Sequence, residues 1–153
     1  MGVKNMINYE INDETLAILP FEMGKSRVIE THGELIVNKT PMEIIENSCL
    51  YFGSTYDGRH NATKYLLGIS YKSPIIIEES RNIIFFPTNS PRQYDCCWIS
   101  LKNIIDYKRR NNNSIVCFDN GKQILLDISY GSLDNQILRA TRLESVIRNK
   151  KIS

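Results

Sequence analysis

Ile75-Ile76-Ile77-Glu78-Glu79-Ser80-Arg81-Asn82-Ile83-Ile84-Phe85-Phe86-Pro87 is the stretch that decides the fold class. Two short runs, rich in β-branched and aromatic residues, flank a five-residue polar connector, Glu78 to Asn82, of hairpin length. Both runs are apolar at every position rather than at every second one. That pattern predicts strands buried on both faces, so something must cover each side of the sheet. Pro87 ends the second strand, because it has no backbone donor to offer.

Immediately upstream, Thr40-Pro41-Met42-Glu43 carries a helix start. Thr40 can cap, Pro41 suits the first helical position, and Glu43 completes a capping box. The helix is expected from Pro41 to about Leu50, with Met42, Ile45 and Cys49 on one face. Tyr51-Phe52-Gly53-Ser54-Thr55-Tyr56-Asp57-Gly58-Arg59-His60 then reads as a glycine-broken turn, and Tyr65 to Ser70 as a weakly alternating strand. The two glycines do not match a phosphate-binding loop, since the Walker spacing and its Lys-Ser/Thr ending are missing. Downstream, Asn89 to Asp95 is a polar loop, and Trp98-Ile99 opens another strand with the lone tryptophan as a core anchor.

Toward the N-terminus, Met1 to Asn12 reads as a loose start with one short strand, Ile7 to Ile11. Thr15 to Leu19 is a stronger strand, which Pro20 is expected to end. Ser26 to Glu30 and Glu34 to Val37 form a hairpin around Thr31-His32-Gly33, with His32 at the tip. Toward the C-terminus, Asn103 to Tyr107 suits a helical turn or a strand. Lys108-Arg109-Arg110-Asn111-Asn112-Asn113 reads as a hairpin loop. Ser114 to Phe118 and Gln123 to Ile128 are strands joined through Asn120-Gly121. Ser132 is expected to cap a last helix from Leu133 to about Ile147, with Leu133, Ile137, Ala140 and Ile147 along one stripe and a basic end at Asn149-Lys150-Lys151. The whole is one α+β domain over residues 1–153, mainly antiparallel β-sheet with two helices.

Size and composition fit a self-sufficient domain. A chain of 153 residues with 42% apolar and 24% charged content buries roughly 70% of its unfolded surface. No leader and no apolar run of membrane-spanning length is present, so a cytoplasmic chain with reduced thiols is expected, without a membrane partner. Cys49, Cys96, Cys97 and Cys117 lack zinc-ligand spacing and read as small buried apolar residues, with a redox switch as the alternative. His32 and His60 sit in no metal or nucleophile motif. No nucleophile elbow, His-Glu-x-x-His pair or dinucleotide fingerprint occurs. Neither an enzyme nor a cofactor or metal is expected, although a spatial cluster of Asp57, His60 and a cysteine is the remaining catalytic reading.

The formal charge of +2 is too small to argue for nucleic acid, so a basic signal must come from clustering. Cations gather from Arg59 to Lys64, at Lys108 to Arg110, and from Arg139 to Lys151. The bland reading is a solvated rim. The sharper one is phosphate contact, weakening with salt. No helix-turn-helix, zinc finger or RNA-recognition aromatic motif accompanies these clusters.

Tyr51-Phe52-Gly53-Ser54-Thr55-Tyr56-x-Gly58-Arg59 resembles a signature of the bacterial competence transcription factor family, ComK. Ile69-Ser70-x-Lys72-x-Pro74-Ile75, Phe85-Phe86-Pro87-Thr88, Trp98-Ile99-Ser100 and Ile128-Ser129-Tyr130-x-Ser132 continue the series. Asn135-Gln136 and Arg139 follow in step, and Tyr9-Glu10-x-Asn12 and Ala17-Ile18-Leu19-Pro20 precede it. The matches are collinear from about Tyr9 to Leu143.

The resemblance implies a DNA-binding activator of competence genes that binds paired A/T-rich boxes, mainly in the minor groove. It implies dimers, two of which sit on a promoter and bend the DNA, and a nucleoid-associated location. Narrow A-tract grooves attract arginine, so no major-groove recognition helix is needed. Relatives extend past the position of Ser153, and that extension serves capture by an adaptor and protease. The chain therefore reads as a short form without it. Candidate DNA contacts are Arg59, Lys64, Lys72, Arg92, Lys108, Arg109, Arg110 and Arg139, of which Arg59, Lys72 and Arg139 match the family pattern. The competing expectation is an interaction module without DNA affinity that forms mixed dimers with a full-length relative.

Overall fold

The computed structural model describes residues 4–152, and the side chains of residues 4–150. The first residues of the expected loose start and the side chain of Lys151 lie outside the described residues. Seven strands form one sheet in the order β1-β4-β3-β2-β7-β6-β5, and three form a second in the order β10-β9-β8. The strands are β1 Lys4–Met6, β2 Thr15–Phe21, β3 Lys25–Glu30, β4 Gly33–Val37, β5 Ile75–Glu78, β6 Ile83–Pro87, β7 Trp98–Ser100, β8 Ile104–Arg110, β9 Asn113–Phe118 and β10 Gln123–Leu126. The helices are α1 Pro41–Tyr51, α2 Tyr56–Leu67 and α3 Tyr130–Ile152. Strand pairing is antiparallel except between β1 and β4. The architecture is α+β, as the sequence predicts.

The all-apolar runs mark strands covered on both sides. Ile75, Ile77 and Phe85 join Ile18, Val28 and Trp98 in one cluster, against Ile44, Ile45 and Cys49 of α1. Ile76, Ile84 and Phe86 join Ala17 and Ile99 in another, against Leu133, Ile137, Ala140, Leu143 and Ile147 of α3 and Val116, Phe118 and Leu126 of the small sheet. Alternate residues of one strand therefore feed opposite cores, as the period of two requires. Each buried Val, Leu, Ile or Phe among them stabilises the fold by about 1.5–3 kcal/mol relative to an exposed one. The adjacent thiols divide in the same way, Cys96 into the first cluster and Cys97 against the second.

Several local expectations are corrected. Residues 56–67 form α2, not a turn leading into a strand. Thr55 caps it by accepting the Gly58 N–H at 2.9 Å, Asp57 sits in the positive first turn, and Gly68 ends it at φ +72°. Gly58 is inside the first turn, so a residue that reads as a breaker belongs to the helix. The N-terminal strand is Lys4–Met6 rather than Ile7 to Ile11. That second segment ties down by side chains instead: Tyr9 donates to Glu30, and Ser48 Oγ accepts the Ile11 N–H at 3.0 Å. Pro20 stays within β2, opposite Ser26. The second neighbour, β7, meets β2 only at Ala17 and Ile18, so no strand waits for the missing donor.

Asn103 to Tyr107 resolves mainly as strand, and α3 begins two residues before the expected Ser132 cap. Ser129 Oγ accepts the Ser132 N–H at 3.1 Å and Ser129 O the Leu133 N–H at 3.0 Å. The helix also runs past Ile147 to Ile152.

Candidate nucleic-acid interface

The site grows from the C-terminal end of α2. Lys64 lies in its last turn, where a cation complements the negative helix end, and is exposed. Gly68 then reverses the chain, donating its N–H to Lys64 O at 2.8 Å. The segment from Ile69 to Pro74 folds back along α2. His60 Nε2 bonds Ser70 O at 3.1 Å, and Thr63 Oγ1 donates to Pro74 O at 2.7 Å.

From the other side α3 supplies two donors. Gln136 Nε2 reaches Lys72 O at 2.9 Å and Pro87 O at 2.7 Å. Arg139 donates to Tyr71 O at 2.6 Å, to Lys72 O at 3.4 Å and to Gln136 Oε1 at 2.8 Å. Arg139 is thus a half-buried tie between α3 and the loop, and burial nudges its guanidinium below its ordinary value.

Lys72 and Arg92 line one cavity of about 490 Å³ together with His60, Ser73, Glu46 and Asp57. Arg92 stands exposed on the loop between β6 and β7. Arg59 is half-buried on α2, and its Nε has no hydrogen-bond partner among the described residues. Lys72 and Arg92 therefore share one region, while Lys64 and Arg59 lie on α2 outside that lining.

Lys108, Arg109 and Arg110 are not a hairpin loop. They end β8, paired with Ile115, Ser114 and Asn113, and the connection is only Asn111-Asn112. Asn111 adopts φ +55°, a conformation asparagine tolerates, so two residues close the turn. The strand pleat sends Lys108 and Arg110 to one face and Arg109 to the other. Arg109 lies over the Tyr130 ring at 5.4 Å. Tyr130 stacks on Tyr107 at 5.6 Å, whose hydroxyl donates to Asp134 at 2.7 Å. Residues of α3 turn by about 100° each, so Tyr130 and Asp134 stand on one side of its buried stripe and Arg139 on the other. The basic residues singled out in the sequence thus fall into a strand-end group, Lys108 to Arg110, and a looser set on α2 and the loops after it, with Arg139 on α3 itself.

The thiols offer little chemistry. Burial pushes Cys49 up to about 11 and Cys97 up to about 12, and raises Cys96 as well, which keeps them protonated at neutral pH. No group of three or more His, Cys, Asp and Glu among the described residues is placed to hold a metal ion. No helix among them is long and apolar enough to cross a membrane. Sequence reasoning missed Tyr71, which is 67% exposed, and the supporting roles of Gln136 and His60. A tyrosine beside a lysine before Pro74 was the available signal.

The model of the ComK protein family matches residues 6–152. A curated relative from Bacillus subtilis (strain 168), named "Competence transcription factor", is 38% identical over 147 residues, covering 94% of this chain and 77% of the relative. No solved structure matches. With nearly its whole length aligned to that family model, the chain belongs to the ComK family.

Proposed function

We propose that this chain is a DNA-binding transcription factor that activates competence genes. It binds A/T-rich promoter boxes, largely through the minor groove, as a dimer or a pair of dimers at the nucleoid. The observation that carries the reading is family membership, with 38% identity to a competence transcription factor. The arrangement of cations supports it. Lys72 and Arg92 share one cavity, Lys64 stands exposed at the end of α2 with Arg59 half-buried on the same helix, and Lys108, Arg109 and Arg110 end the edge strand β8. Arg139 acts from behind, on the loop that presents Lys72. Exposed cations on strand ends and loops suit backbone contact, and narrow A-tract grooves draw such side chains in.

Fluorescence anisotropy tests the reading. The purified chain is titrated into labelled A/T-box duplex, and into a G/C-rich duplex of equal length, at moderate salt. Preference for the A/T duplex is expected. A folded, dimeric chain that ignores both duplexes at low ionic strength ends this reading in favour of an interaction module that pairs with full-length relatives.

A further inference from the structure

The loop between α2 and β5 is held unusually firmly for a surface segment. Of the five carbonyls from Ser70 to Pro74, four accept side-chain hydrogen bonds. They come from His60 to Ser70, Arg139 to Tyr71, Gln136 and Arg139 to Lys72, and Thr63 to Pro74. Both α2 and α3 thus grip the same short segment. The backbone inside this clamp is strained: Lys72 sits at φ +50°, a region that residues other than Gly, Asn and Asp rarely enter. Observed strain that a surrounding network over-determines marks functional segments.

The polar groups of the loop face inward while its ring faces out. Tyr71 is 67% exposed, with Lys72 Nζ at 5.4 Å over it. The inward bonds tie the loop to the fold, whereas the exposed ring buries little apolar area. At the end of α2, Lys64 is exposed and Tyr65 is 89% exposed, and across the cavity stands Arg92. Glu46 and Asp57 also line that cavity, but the charges around the tip itself are Lys64, Lys72 and Arg92, which suit a phosphate-lined groove, and rigidity lowers the ordering cost of binding.

We infer that the Tyr71–Lys72 loop is a preformed finger that enters the minor groove of A/T-rich duplex. The Tyr71 ring lies against the sugars of the groove wall and the Lys72 ammonium meets a phosphate. Arg139 and Gln136 are positioning residues that act through the loop. The inference rests on the DNA-binding reading above and names the part of the surface that does the work.

Salt-series anisotropy on A/T-box duplex tests it, using the full chain and its Tyr71→Ala, Lys72→Ala, Arg139→Ala and Tyr71→Ala/Arg139→Ala variants, with thermal melts confirming the fold. Tyr71→Ala is expected to weaken binding about tenfold through the apolar ring area it no longer buries, with an unchanged salt slope, because no charge is lost. Lys72→Ala is expected to reduce the slope by about one. Arg139→Ala weakens binding alone but adds less than that loss in the Tyr71→Ala background, where only the Lys72 contact is left for it to position, a coupling that a purely structural role elsewhere does not produce. Should the alanine variant fail to fold, Arg139→Lys keeps the charge without the two-carbonyl reach and is read the same way. Wild type binding with Tyr71→Ala equal to it overturns the finger and leaves the DNA reading standing. Additive losses in the double variant overturn the positioning role. Wild type failing to bind overturns both readings.

Discussion

Gly58 stands against its own helix cap. Thr55 Oγ1 accepts the Gly58 N–H at 2.9 Å, and a Cβ at Gly58 would lie 3.0 Å from that same oxygen and 3.1 Å from Ser54 Oγ. The contact fixes where α2 begins, and α2 carries Lys64 and supports the loop of Lys72.

The sign of a Gly58→Ala change therefore depends on Thr55. Alanine gains up to about 1 kcal/mol of helix propensity, but it crowds the cap. Thr55→Ala removes the cap and costs about 1 kcal/mol. In the wild-type background Gly58→Ala is expected to be destabilising or neutral. In a Thr55→Ala background the closer oxygen is gone and the Ser54 hydroxyl can rotate away, so it is expected to stabilise. Urea unfolding of the two singles and the double measures the reversal, and equal effects in both backgrounds would refute the crowding.

Trp98 is fully buried, edge-on to Tyr56 with centroids 6.4 Å apart, and its indole N–H has no partner among the described residues. Trp98→Ala is expected to cost about 3–5 kcal/mol through the cavity left behind. Trp98→Phe should cost clearly less, because the smaller ring leaves a void but also removes an unpaired donor. Chemical denaturation orders the two, and a phenylalanine variant as damaged as the alanine one contradicts the account.

Tyr107 supplies a pH dependence. The Asp134 carboxylate that accepts its hydrogen bond, and then burial, push the phenol up to about 12, above the unfolded value near 10. The fold favours the protonated phenol, so its contribution is complete below about pH 10. It is lost as pH rises through the folded value. Tyr107→Phe is expected to cost about 1 kcal/mol at neutral pH and to flatten the decline of stability between about pH 10 and 12. Melting temperatures across that range read both effects, and parallel curves for the two proteins would dismiss the Asp134 bond.

What the sequence made legible follows from how local the signals are. The capping box at Thr40 and Glu43 needs only four residues and is formed in full. The two-sided burial of Ile75 to Phe86 follows from apolar runs that no one-faced strand carries. Helix α2 was illegible because its composition argues against it: Gly58 breaks helices in isolation, and Tyr-Asp beside Ser-Thr suits turns. Its packing against β5, with Tyr56 reaching one core and Leu67 the other, overrides that preference. Within the candidate site, charge could be counted but not placed. Arg139 looks like any surface cation in the sequence. Only the approach of Tyr71 and Lys72, nearly seventy residues away along the chain, makes it a tie.

The strand-end cations and those around the α2–β5 loop separate by experiment. Lys108, Arg109 and Arg110 sit on the end of an edge strand, where lysine and arginine also deter unwanted strand pairing. That second role needs no DNA. If the triplet meets phosphates, each contact releases a counterion and steepens the dependence of log affinity on log salt by about 0.9. Replacing all three by alanine is then expected to flatten the slope by up to roughly 2.7. All three are exposed, so the melting temperature should fall only by the few degrees that the Arg109–Tyr130 contact carries. A slope equal to wild type, with the fold intact, removes the strand end from the interface and leaves Lys64, Lys72 and Arg92 to carry the phosphate contacts. In that case self-association measured by light scattering is expected to rise in the triple variant, because β8 has lost the charges that guard its edge.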